Sequence, residues 1–211
     1  MSEVKCTYFE QIGRANTEIA LALARQRAME LGLDTVVVAT TVGDTGARAV
    51  EVFRGMKVIV VSHSHGFKEP NTQEMTTQNR AKIEELGGTV LTSTHIFGSV
   101  GRAIRRKFNT YQTEEIIAQT LRMLGEGIKV VVEVSAMAAD AGLVRTDKDI
   151  LVVSGTGRGA DTAVVMRAAN TQDFFNMKIK EIICKPRLDP PPSQAEQRGE
   201  AAVPAQRPHH S

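Results

Sequence analysis

The sequence predicts an α/β fold: a mostly parallel twisted sheet with helices on both faces and one or two edge strands that can run antiparallel. Three observations predict it. From Asn16 onward, helix-like segments alternate with short apolar runs. The runs VVVA at 36–39, KVIVVS at 57–62 and DILVVS at 149–154 are nearly continuous Val, Ile and Leu, as in strands buried on both faces. Most of these runs end in a polar or glycine-rich loop, the usual place for ligand chemistry in a parallel sheet.

Asn16 can cap a first helix presenting Ile19, Leu21, Leu23, Ala24, Ala28 and Leu31, closed by Gly32. A strand at 36–40 follows, then a short helix from Thr45 to Arg54 ended by Gly55, then a strand from Lys57 to Ser62. Residues 72–86 carry a helix that stops at Gly87 and Gly88, and TVLT at 89–92 is the next strand. Helical segments at 98–108 and 113–124 lead into KVVVEVS at 129–135, whose Val run reads as a strand, and into a strand at 149–155. The segments ADTAVVMRA (160–168) and KIKEIICKP (178–186) alternate apolar and polar residues, which suits strands added at a sheet edge.

A length of 211 residues, 42% hydrophobic and 24% charged, fits one globular domain over residues 1–187. Six of the seven prolines lie at or after Pro186, so residues 188–211 read as a disordered, Pro-rich tail, and its His209 and His210 are assigned no function. The apolar runs are too short to span a bilayer and MSEVKCTYFEQ has no signal core; no membrane and a cytoplasmic location are expected. Cys6 and Cys184 have no metal or redox spacing and read as free thiols rather than a disulfide. A net charge of +2 gives no general attraction to nucleic acid.

Five loops fall at expected strand ends: TTVGDTG (40–46), SHSHGFKEP (62–70), STHIFG (93–98), SAMAADAG (135–142) and SGTGRGAD (154–161). In the first, Gly43 and Gly46 let backbone N–H groups approach an anion, Thr40, Thr41 and Thr45 add hydroxyls, and a helix N-terminus follows. The competing reading is a tight turn in which Asp44 merely caps the helix. In the last, Gly155, Gly157 and Gly159 surround Arg158, which can grip a phosphate. Its looser dinucleotide fingerprint is discounted, because a strand-like segment follows where that motif needs a helix. His63, His65 and His95 could serve as acid and base groups; without closely spaced Cys or carboxylates, no metal site is expected. GRAIRRKF at 101–108 reads as a solvated helix face before a contribution to an anionic ligand, and no nucleic-acid partner is expected.

VVVATTVGDTGARAVEVFRGMKVIVVS and DILVVSGTGRGADTAVVMRAA resemble the first and last parts of the C-terminal α/β domain of pyruvate kinase. With TYFEQIGRANTE, SHSHGF and SAMAADAGL, the resemblance runs from about Thr7 to Arg187 and is closest to the stand-alone members of that family. The chain has no room for the catalytic barrel, so kinase activity is not implied, and Asp44 departs from the pattern of the sugar-bisphosphate loop. The resemblance implies a phosphorylated ligand instead, flavin mononucleotide (FMN) first, and a homo-oligomer. The expected binding residues are Thr40, Thr41, Gly43, Asp44, Thr45, Gly46, His63, Ser135, Met137, Gly155, Thr156, Gly157, Arg158, Gly159, Asp161 and Thr162. The alternative is a regulatory module that senses a phosphorylated metabolite without redox chemistry. No nucleophile or carboxylate pair identifies a reaction.

Overall fold

The computed structural model describes residues 3–187; the expected tail at 188–211 lies outside them. Seven strands form one sheet: β1 (Thr7–Phe9), β2 (Thr35–Ala39), β3 (Lys57–Ser62), β4 (Thr89–Thr92), β5 (Asp149–Ser154), β6 (Thr162–Arg167) and β7 (Lys178–Pro186). Their order across the sheet is β1-β7-β6-β5-β2-β3-β4. β5, β2, β3 and β4 are mutually parallel, and β6 is antiparallel to both β5 and β7. The strands expected at this side of the sheet are therefore present, and of them β6 alone runs against the rest, while β7 returns to the common direction. β1, too short to show a period, pairs parallel to β7 and covers that side.

The helices are α1 (Thr17–Leu31), α2 (Asp44–Val52), α3 (Thr77–Glu85), α4 (Val100–Phe108), α5 (Thr113–Arg122) and α6 (Glu126–Asp140). Alternating strand residues feed two cores. Val36, Val38, Val58, Val60, Leu151 and Val153 pack against α1, α2 and α3. Val37, Ile59, Val61, Ile150 and Val152 pack against α5 and α6. Both faces are covered, which is why the central strands lack a polar side. Where the backbone of α2 crosses β3, a Cβ on Gly46 would stand 2.4 Å from a Val60 methyl, so this glycine permits the close approach.

The largest departure from the sequence reading is KVVVEVS, which belongs to α6 and not to a strand. α6 is buried on almost every side between the sheet and α5, so its apolar residues have no helical stripe to display. Ser154 Oγ donates to the Gly127 carbonyl at 2.8 Å, which puts the first turn of α6 beside the end of β5. SAMAADAG is thus the far half of a helix and leads away from the strand ends.

Candidate functional site

The carboxyl ends of β5, β2, β3 and β4 open on a cleft of about 280 Å³. After β2 the chain moves to β3 and β4, and it returns on the other side of β2 as β5. The crevice between β2 and β5 is therefore the topological switch point, where open α/β sheets hold ligands. TTVGDTG leaves β2 there and SGTGRGAD leaves β5.

Thr40, Thr41, Asp44, Thr45, His63, Gly155, Gly157, Arg158 and Gly159 line the cleft. The other expected residues do not, each for a physical reason. Gly43 adopts φ +96° and is closed over by Asn79 and Met75, while Gly46 faces Val60. Ser135 is fully buried in α6 with its hydroxyl on the Val132 carbonyl, and Met137 sits in the core beneath the sheet. Their assignment to the site is corrected, since it rested on reading the helix as a strand and loop. The Asp161 carboxylate is fully buried and accepts from Gly13 N–H (2.7 Å), Thr156 N–H (3.1 Å) and the Thr162 hydroxyl (2.8 Å). Asp161, Thr156 and Thr162 hold the loop in shape beneath the cleft; they do not line it.

Asp44 lies in the first turn of α2 and accepts its neighbour's N–H, from Thr45, at 2.9 Å, while its other oxygen lies 3.3 Å from Arg14. Its negative charge is thereby engaged from two sides, and one donor of the helix N-terminus is occupied. Glu126, opening α6, is paired with Arg122 at 2.5 Å.

Two cations of the cleft lack such a partner. Among the described residues neither Arg102 nor Arg158 forms an ion pair, whereas Arg122 and Lys129 do. Arg102 lies over the Phe67 ring, 5.0 Å from its centre, and burial, followed by the neighbouring Arg106 charge, lowers its pKa from the ordinary guanidinium range. An anion in the cleft would relieve that cost. GRAIRRKF is accordingly not one solvated face: Arg102 turns inward and Arg105 binds Glu115 at 2.6 Å.

An aromatic wall closes the β3–β4 end. His63 stacks on Phe67 with centres 4.1 Å apart and 28° between planes, and His95 lies 4.8 Å from Phe67. Behind the wall is a buried charge network that sequence reasoning missed. Glu133 binds Lys129 at 2.5 Å, lies 3.4 Å from His95 Nδ1 and accepts the Phe97 N–H. Burial alone would raise the Glu133 carboxyl, but His95 and Lys129 outweigh it and hold the pKa at about 2. Ser64 N–H donates to His95 Nε2 at 3.3 Å, which directs the Nδ1 side of the ring toward Glu133. The i, i+4 spacing of Lys129 and Glu133 was the available helical signal. His65 is exposed and outside the cleft.

The model for "Pyruvate kinase, alpha/beta domain" matches residues 18–166, well over half of the chain. Among solved structures, Cryptosporidium parvum pyruvate kinase is similar at 13% identity and a TM-score of 0.34, over 72% of this chain and 22% of that one. This chain spans less than a quarter of that protein. The family match covers α1 through β6, the part of the molecule that carries the cleft, and this chain belongs to the pyruvate kinase α/β domain family.

Proposed function

We propose that the cleft binds a phosphorylated small molecule bearing a flat ring, with FMN as the candidate. The observation that carries this reading is the order of chemistry across the sheet. Arg158 and the glycines of the β5 loop come first, the Thr hydroxyls of the β2 loop next, then His63 and Phe67 after β3 and His95 after β4. Three strand spacings separate β5 from β4, roughly 14 Å in all. A phosphate at the β5–β2 crevice, a polar chain along the Thr hydroxyls and a ring against the aromatic wall would use that order. The cleft volume is close to the lower end of ordinary ligand sites, roughly 300–1,000 Å³. Cys6 and Cys184 are both free thiols, which accords with a reducing, cytoplasmic setting.

Titration with FMN, followed by flavin fluorescence, tests the site. Saturable binding that weakens in Arg158→Ala and in Arg102→Ala supports it, and equal binding in wild type and both variants contradicts it.

A regulatory reading has one observation in its favour. α4 carries Arg102 into the cleft while its own Val100 and Phe108 are 70% and 65% exposed. An anion drawing on Arg102 would act on an exposed apolar surface. A change in molecular mass on adding sugar phosphates, with no flavin bound, would favour this alternative.

A further inference from the structure

His63 has a partner on only one side of its ring. Nδ1 lies 2.6 Å from Glu74 Oε2, and among the described residues Nε2 has no hydrogen-bond partner. In the Nδ1–H tautomer the Glu74 carboxylate accepts that hydrogen bond, which leaves the Nε2 lone pair available. The ring cannot turn freely, because Phe67 stacks on it and Glu74 holds Nδ1, while the Gln73 side-chain amide fixes the backbone by donating to the His63 carbonyl at 2.9 Å. His63 also lines the cleft. A carboxylate that orients an imidazole whose second nitrogen is open to a ligand cavity is the arrangement general acid–base chemistry requires.

We propose that His63, oriented by Glu74, is a proton-transfer site for the ring portion of the bound ligand. The step moves one proton. A ligand ring N–H bond breaks, its electron pair stays on the ligand, and the proton bonds to Nε2; the imidazolium formed is balanced by the Glu74 carboxylate, and the reverse step returns the proton. The substrate class is a phosphorylated compound with an ionisable ring N–H. This rests on the cleft reading above, but the dyad can be tested without any ligand.

The surroundings set the direction of the ring's titration. Burial lowers the His63 pKa, Glu74 raises it, the neighbouring His95 lowers it, and Glu133 raises it more weakly, with a net shift downward. The charged groups facing the pair are Glu74 from the segment before α3, His95 from the β4–α4 loop, Arg102 from α4, and Glu133 with Lys129 from α6. His63 is therefore the neutral base near pH 7, the form that accepts a proton. His95 cannot take that role, because both its nitrogens are already engaged.

Carbethoxylation by diethyl pyrocarbonate, mapped by peptide mass across a pH series, reads the unprotonated Nε2 directly. In the full chain without ligand, His63 is expected to react with a pH midpoint below the ordinary imidazole value of 6.5. In Glu74→Gln, which can still accept the Nδ1–H bond but has no charge, the midpoint should fall further, by about one pH unit. A His63 that stays unmodified, or whose midpoint is the same in Glu74→Gln, overturns the proposal. Added FMN should then protect His63 in wild type. If FMN binds by its fluorescence and leaves His63 fully reactive, the proton-transfer role fails while the cleft reading stands. If FMN does not bind but the ligand-free midpoints behave as stated, the dyad stands and the choice of FMN fails.

Discussion

The carboxylate of Asp161 accepts the backbone N–H of Gly13 at 2.7 Å, joining residues 148 positions apart. The same oxygen accepts Thr156 N–H, so one buried side chain fixes both ends of the glycine loop and the segment ahead of α1. Asp161→Ala would leave two buried N–H groups without a partner, at roughly 1–3 kcal/mol each. A loss of about 3 kcal/mol in urea unfolding is expected, with looser ligand binding at the loop as a secondary effect.

Gly46→Ala tests the contact between α2 and β3. In an exposed helix interior this change would stabilise by about 1 kcal/mol. Here the new methyl meets Val60 at 2.4 Å and Ile83 at 3.2 Å, so destabilisation of about 1–3 kcal/mol is expected. Thermal denaturation reads the sign.

Glu133 makes the fold acid-sensitive in a defined window. Its folded pKa of about 2 lies below the ordinary value of 4.5, so its stabilising contribution is present above 4.5 and is lost as pH falls toward 2. Glu133→Gln should cost about 3 kcal/mol near neutrality, because Lys129 is left buried without its charge partner. The variant's stability should also fall less steeply than wild type between pH 4.5 and 2, as denaturant midpoints at each pH would show.

Arg102 and Arg158 should act on ligand affinity more than on folding, since neither sustains an ion pair among the described residues. Removing either is expected to weaken binding of the phosphorylated ligand roughly tenfold to a hundredfold. Added salt should weaken binding to wild type more than to the double variant. Isothermal titration at two salt concentrations checks both.

The fold was legible in the sequence wherever short Val and Ile runs were bounded by glycine and polar residues, as at β2, β3 and β5. It was not legible at α6, because a helix buried all round shows the same apolar run as a buried strand. That one misreading moved Ser135 and Met137 into the site and hid Lys129 and Glu133 within an apparent buried strand. The loops after β2, β3 and β5 were identified because glycine, Thr and His cluster at strand ends. Which of their residues line the cleft was not, since Gly43, Gly46 and Asp161 serve packing and loop geometry, and that depends on neighbours distant in sequence. Phe67 and Arg102 gain their place only when the β3 loop and α4 meet over the cleft.

The crevice between β2 and β5 is proposed to hold the phosphate of a ring-bearing ligand. The most direct measurement is the absorbance spectrum of the protein purified without added ligand, with the mass of the small molecule released by heat and, if none is found, reconstitution with FMN. A flavin spectrum, carried from the cell or acquired on reconstitution and diminished in Arg158→Ala, is the predicted result. A colourless protein that takes up no FMN would contradict it.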